Sequence, residues 1–330
     1  MTSSYDEGVF CAQRRDSGFA VRGLRVPAML RRMPTKPSIT IVGPGRLGSV
    51  LAAALRDAGF QIDEIVGRPA AASQRRVKRL ATQAGARAAT PRTAALGADI
   101  VWICVPDAEI ARAASSLASR FEGRGKVVFH ASGALLSDEL NALRRRGAAC
   151  ASVHPLMSFV GSSTPSLRGV PFALEGDARA VQAARRVVKA LGGEAFTIAR
   201  SRKVAYHSWG AFASPLLVSA LATAETVAVA AGLTRKEAHR RMLPIVKQTL
   251  SNYAAYGAAA SFSGPIVRGD VQTVKKHLTV LGRLPRAKEV YLALARAAVT
   301  NLPGKNAEAM RRMLAASAGR KEKGTSKRKK

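Results

Sequence analysis

The 330-residue chain is long enough for two domains and a sizeable core. Hydrophobic residues make up 47% of it, which excludes a disordered chain, and an aromatic share of 5% leaves few platforms for stacking nucleic-acid bases. The net charge of +32 comes from arginines spread along the whole sequence, a composition bias rather than one binding stripe, so nucleic acid is not the expected partner.

Residues 1–36 are Arg-rich and lack apolar periodicity, and read as a disordered extension or as sequence preceding a true start near Met33. Asp6, Glu7 and Asp16 argue against a transit peptide. From residue 37 to about 200, short apolar runs alternate with helical segments. Strands are expected at Ser38–Val42, Ile62–Val66, Asp99–Val105, Lys126–Phe129, Ala151–Val153, Pro171–Leu174 and Ala195–Ile198. Helices are expected at Ser49–Ala58, Ala70–Gly85, Ala108–Phe121 and Ala178–Leu191. That alternation implies right-handed βαβ units and a mostly parallel, doubly wound sheet of the α/β class.

Residues 201–318 change character to an all-helical domain broken at Gly232, Pro244, Gly264-Pro265 and Pro285. Residues 319–330 form a basic tail, read as disordered. Ala211–Gly232 has the length of a membrane span and a single charge, Glu225. Its Ala, Ser and Thr content and Pro215 favour a buried helix at the centre of the helical domain, with no membrane contact. Cys11, Cys104 and Cys150 are far apart, with neither zinc-site spacing nor a disulfide pattern, which fits a reducing cytoplasm and no metal.

The loop Gly43-Pro44-Gly45-Arg46-Leu47-Gly48 lies between the first strand and the first helix. Gly43 permits a tight turn, Gly45 lets backbone approach a pyrophosphate, and Gly48 lets helix and strand pack closely. The helix start offers free N–H groups to the anion. In this context the loop reads as a Rossmann-type dinucleotide site, the alternative being a tight strand–helix turn that has lost its ligand. The second strand ends Val66-Gly67-Arg68, where an acid would bond the ribose hydroxyls of NAD; Asp63 and Glu64 come too early. Gly67 leaves room and Arg68 can pair with a 2′-phosphate, with Arg75 or Arg76 as helpers, so NADP(H) is favoured over NAD(H). The alternative is one more surface arginine. Val105-Pro106-Asp107 is expected along the nicotinamide half of the cofactor, with Asp107 equally readable as a helix N-cap.

Two strands end in His130-Ala131-Ser132-Gly133-Ala134 and His154-Pro155-Leu156-Met157-Ser158-Phe159. Each puts a histidine where sheets of this kind bind ligands, as a proton-transfer group or as a structural hydrogen-bonder. Lys203 and His207, four apart, share one helix face. Lys203 reads as a proton donor or a solvated surface lysine. His207 and Ser132 are candidates to orient substrate, and His130 and Gly133 to contact it. Arg268, in Gly264-Pro265-Ile266-Val267-Arg268-Gly269-Asp270, could clamp a substrate carboxylate. His239 and His277 read as surface residues.

Taken together with Tyr206-His207 and Phe212-Ala213-Ser214, these motifs make residues 37 to 300 resemble a Rossmann-like family of NADP oxidoreductase type whose C-terminal half is a domain of unknown function. More distantly they resemble pyrroline-carboxylate reductase, β-hydroxyacid dehydrogenases and prephenate dehydrogenase. Lys203 is similar in place to the β-hydroxyacid enzymes' lysine, with His207 where their asparagine stands. Ser132-Gly133-Ala134 resembles their Ser-Gly-Gly loop, and His154-Pro155 resembles a functional His-Pro of prephenate dehydrogenase. The nearer family shows an asparagine after Phe-Ala-Ser; this chain has Pro215. The expectation is a cytoplasmic homodimer, paired through its helical domain. It would move hydride between NADP(H) and a small carbonyl, imine or hydroxy compound, with His154 or Lys203 handling the proton. The alternatives are a non-enzymatic NADP(H)-binding regulator and, further off, a nucleic-acid binder acting through its tail.

Overall fold

The computed structural model describes residues 36–161 and 164–317. The expectations for the N-terminal extension, Cys11 and the basic tail fall outside these residues.

Apolar runs become the strands of one eight-stranded sheet: β1 (Ile39–Val42), β2 (Ile62–Val66), β3 (Arg87–Ala89), β4 (Ile100–Ile103), β5 (Val127–His130), β6 (Ala149–Pro155), β7 (Pro171–Gly176) and β8 (Glu194–Thr197). Their order is β3-β2-β1-β4-β5-β6-β7-β8. Every residue of β1, β4 and β5 is buried, as expected of strands covered on both faces. Helices α1 (Arg46–Asp57), α2 (Ala71–Ala84), α3 (Ile110–Ala118), α4 (Asn141–Arg144) and α5 (Ala178–Ala190) supply that cover. Val50, Leu55, Val77, Leu80 and Val187 of α1, α2 and α5 fill one face, while Ile110, Leu117 and Leu143 of α3 and α4 fill the other. The chain reverses its direction of sheet growth between β1 and β4, and a crevice forms at such a switch point.

The sheet is parallel except where β6 pairs antiparallel with β7. Those two strands are joined by a loop rather than a crossover helix, whereas α5 returns the chain for the parallel β7–β8 pair. The short edge strand β3 and helix α4 carried too little apolar pattern to be expected. Register aligns His130 with Ser152, and Ser152 with Glu175, across β5, β6 and β7. Laterally paired residues project to one face, and His154, two residues beyond Ser152, projects there as well.

From Arg200 the chain is helical: α6 (Lys203–Ala211), a π-helical turn at Phe212–Leu216, α7 (Leu217–Ala230), α8 (Arg235–Ser261), α9 (Val271–Leu281), α10 (Pro285–Asn301) and α11 (Ala307–Ala316). Pro215 sits inside the π turn, where the widened ring absorbs its missing N–H. Thr234 and Glu237 close a capping box that starts α8. Pro244 does not break α8 as expected; the interruption falls at Gly257, whose φ of 73° leaves the helical region. Leu278, Leu292, Val299 and Met310 form a separate core that joins α9, α10 and α11.

The expectation of a buried central helix also fails within one chain. Arg200–Ala230 is a continuous 31-residue helix, long and apolar enough to cross a membrane, and 0% of its apolar window is buried. α7 meets α8 and α10, and two neighbours cannot surround a helix that is apolar all round. Trp209, Phe212, Leu216 and Val218 stand exposed along it.

Candidate functional site

Two assemblies lie at the carboxyl ends of the strands: a backbone cradle after β1, and a histidine cluster after β5 and β6.

In the cradle, Gly43 turns with φ +108°, and a Cβ there would sit 2.7 Å from the Cys104 carbonyl oxygen. A Cβ on Gly48 would sit 2.1 Å from the Gly43 carbonyl oxygen, so both glycines are demanded by packing. Gly45 differs. It is exposed, and a Cβ would meet only the Cys104 carbonyl oxygen, at 3.9 Å. Its missing side chain therefore serves the space outside the protein. α1 begins at Arg46, earlier than expected, with no side-chain cap and no acid in its first turn. Its N–H groups and positive dipole end face outward, as a pyrophosphate requires. Pro44 is half-buried, Arg46 is exposed, and Leu47 packs on the core.

Arg68 is exposed just beyond β2, with no carboxylate paired to it among the described residues. Gly67 does not leave room for a phosphate as the sequence suggested, because a Cβ there would meet Val77 Cγ2 at 2.4 Å: it is small so that α2 can pack. Glu64 is structural, accepting from the N–H groups of Ala95 and Leu96 at 3.0 and 2.9 Å and pairing with Arg87. From the glycine loop a groove of about 700 Å³ runs between α1 and α2, lined by Arg46, Arg56, Arg76 and Arg79, with Phe159 and Val160 opposite. Arg76 reaches this groove, but Arg75 does not line it. Val105 and Pro106 follow β4, half-buried and exposed respectively.

In the histidine cluster, His130 is 0% exposed. The Ser132 N–H donates to its Nδ1 at 3.1 Å, so Nε2 carries the proton and donates to the Leu136 carbonyl at 3.0 Å. Burial pushes its pKa down to about 4. Both ring nitrogens are spent inside the 130–136 turn, so the expected substrate contact from His130 is corrected to a structural role. Ser132 is likewise committed. Its hydroxyl donates to Asp107 at 2.7 Å and accepts from the N–H groups of Ala134 and Leu135 at 3.2 and 3.0 Å, leaving nothing to orient a substrate. Asp107 is not the helix N-cap; that position is Pro106.

Lys203 is 0% exposed, against the reading of a solvated lysine. Its Nζ donates to the Ser152 hydroxyl, which donates to the Ser132 carbonyl at 2.8 Å. The ammonium thus stands behind the turn rather than opening on a cleft. Burial lowers its pKa to about 8, with Glu175 and Asp107 opposing. Nearby, Arg200 pairs with Asp138 and with buried Glu175, which also accepts from the backbone and hydroxyl of Ser137.

His154 and His207 do come together. A Cβ on Gly133 would lie 2.8 Å from His154 Cε1 and Nε2 and 2.8 Å from His207 Cδ2, so the turn touches both imidazoles. The two rings stand 6.2 Å apart, edge to face. His154 Nδ1 bonds the Tyr206 hydroxyl at 2.7 Å. Burial lowers the His154 pKa to about 4, helped by His207 and Lys203. Residue type alone assigns Tyr206 no role, although its spacing three beyond Lys203 puts it on that lysine's helix face. Ser152 and Glu175 were missed too; a polar residue in an apolar strand was their signal.

Arg268 is exposed, and its loop is tied to the segment before α11 through the Lys305 N–H bond to the Val267 carbonyl. No bond among the described residues joins Arg268 to the histidine cluster. His239 and His277 bond Glu225 and Tyr291 on exposed helix faces.

Residues 28–155 match a Rossmann-like domain, and residues 170–298 match a domain of unknown function (DUF2520). No curated protein sequence matches the chain. Among solved structures, BF3122 of Bacteroides fragilis, a candidate NADP oxidoreductase, is 18% identical with a TM-score of 0.65, over 80% of this chain and 98% of its own. TM1727 of Thermotoga maritima is 23% identical with a TM-score of 0.64, over 85% and 99%. An imine reductase from Myxococcus stipitatus, in complex with NADP+, is 16% identical with a TM-score of 0.59, over 80% and 94%. At such identities these are likenesses of fold. Along the chain a Rossmann-like match is thus followed by a DUF2520 match, the same order of parts that its motifs resemble.

Proposed function

We propose that the chain is an NADP(H)-dependent oxidoreductase acting on a small carbonyl, imine or hydroxy compound. The observation that carries this reading is the placement of two imidazoles, His154 and His207, against Gly133 at the carboxyl ends of β5 and β6. That is the edge of the sheet on which the glycine cradle lies after β1. The fold's likeness to an imine reductase in complex with NADP+ supports the same reading.

The residues fit the cofactor. Open space at Gly45 and the uncapped start of α1 would receive the pyrophosphate, Arg68 would meet a 2′-phosphate, and Val105-Pro106 would flank the nicotinamide half. The bound nicotinamide supplies or accepts the hydride. The chain's own share is to bind, orient and manage a proton. His154, neutral near pH 7, presents Nε2 toward Gly133 and His207, within reach of a heteroatom held there. Ser132 and Lys203 shape the turn behind it.

The exposed apolar face of α6 and α7 is covered by a second copy, giving a soluble cytoplasmic homodimer. Glu225, a charged residue within α7, disfavours the alternative of a lipid-facing surface. The test is a fluorescence titration with NADPH and NADH, followed by NADPH oxidation over a panel of ketones, keto acids and cyclic imines. Tighter binding of NADPH, and turnover that falls at least about tenfold in His154→Ala, are expected. Equal binding of both cofactors sinks the NADP preference. NADPH binding without turnover of any panel member favours a non-enzymatic regulator instead, a reading to which Pro215, in place of the family's asparagine, lends support.

A further inference from the structure

We propose that Tyr206 fixes His154 as a neutral imidazole with its proton on Nε2, so that the site presents an N–H donor and selects a substrate bearing a lone pair, a carbonyl oxygen rather than a protonated iminium. The inference deepens the oxidoreductase reading and rests on it for the substrate clause alone.

The geometry leaves one consistent proton arrangement. The Tyr206 hydroxyl lies 2.7 Å from His154 Nδ1. Tyr206 is 6% exposed, and its side chain is boxed in by Phe196, Trp209 and the His154 ring. No acceptor other than Nδ1 bonds its oxygen among the described residues, so its O–H must donate there or go unpaired in a buried place. A nitrogen that accepts this bond carries no proton, and the remaining proton of a neutral ring sits on Nε2. Burial holds the phenol protonated, raising its pKa to about 12, and holds the imidazole neutral. Nε2 is one of the two His154 atoms nearest Gly133. A group arriving there meets a donor, and the positive charge of Lys203 behind the turn, opposed by the carboxylate of Asp107, repels a second positive charge.

Tyr206 is in this account a positioning residue, acting through His154. Its effect is visible without any substrate. Ring nitrogen-15 shifts, recorded on the full chain labelled in histidine near pH 7 and assigned by loss of the signal in His154→Gln, report the tautomer directly. The expected result is a His154 ring with a protonated Nε2 and a bare Nδ1, and a mixture of tautomers in Tyr206→Phe. A protonated Nδ1 in the wild-type chain overturns the proposal, as does an unchanged tautomer in Tyr206→Phe. For the substrate clause, matched ketone and cyclic iminium pairs are compared, and Tyr206→Phe should lower kcat on the ketone about tenfold while leaving KM near its starting value. Preference for the iminium overturns the clause. An absence of turnover on both, with the nitrogen shifts as expected, would count against the oxidoreductase reading and leave the tautomer assignment standing.

Discussion

Removing the buried imidazole of His130 should flatten the acid side of the stability curve. The ring is wholly buried, has both nitrogens engaged in the 130–136 turn, and resists protonation down to about pH 4. In the unfolded chain it would protonate near pH 6.5. The unfolded state therefore binds the extra proton first as pH falls, and native stability is present above about 6.5 and drains away toward 4. Between about pH 7.5 and 4.5 the two titrations differ by about 2.5 kcal/mol for this one group, an upper figure because water entry softens burial. His130→Asn keeps an acceptor for the Ser132 N–H and cannot titrate. Urea unfolding across this range would be followed by the fluorescence of Trp102, which lies at the centre of the sheet. Trp209→Phe in both chains silences the exposed second tryptophan. The variant should start less stable at pH 7.5, and its deficit should shrink by about 2 kcal/mol at pH 4.5. A deficit independent of pH would refute the argument that this ring is held neutral by burial.

The two kinds of glycine in the cradle should separate cleanly. Gly45→Ala should fold normally and bind NADPH at least about tenfold more weakly, whereas Gly48→Ala, pressed against the Gly43 carbonyl, should lose about 2 kcal/mol or more of stability; calorimetric titration and urea melts distinguish them. Phe212 is 70% exposed on the proposed pairing face, so Phe212→Glu should convert the sedimenting species from dimer to monomer, and a wild-type chain that sediments as a monomer would remove the dimer. Glu175→Gln should cost about 1 to 3 kcal/mol in a urea melt, less than a fully enclosed pair because Arg200 is half exposed and keeps Asp138.

The sheet's main strands were legible because buried parallel strands advertise themselves as continuous apolar runs, and Ile62–Val66 emerged with its ends intact. β3, three residues long at the edge with an exposed first position, has no such signature. The glycine loop was legible in kind, but the separate reasons for Gly45 and Gly67 depend on what a Cβ would strike, which spacing cannot convey. At the candidate site, residue type led to His154 and His207, and it also pointed to His130, Ser132 and Lys203, whose polar atoms are spent on the Leu136 carbonyl, Asp107 and Ser152 respectively. A polar residue at a strand end looks the same in sequence whether it faces ligand or props the turn that does. Tyr206 escaped for the converse reason: a tyrosine on an apolar helix face reads as core, and only its 2.7 Å bond to His154 gives it work.

Arg200 and Lys203, at the threshold of the 31-residue helix, are both fastened to the sheet, one to Glu175 of β7 (and to Asp138 in the turn beside it) and the other to Ser152 of β6. The first turns of that helix are therefore riveted to the strands and carry Tyr206 and His207 as fixtures of the sheet rather than of the helical half. Beyond them, at the π turn, Pro215 removes one rung of the helical ladder between these first turns and the rest of the long arm. His207, which chain order assigns to the helical half, is in that way held by the same strands that carry its neighbour His154.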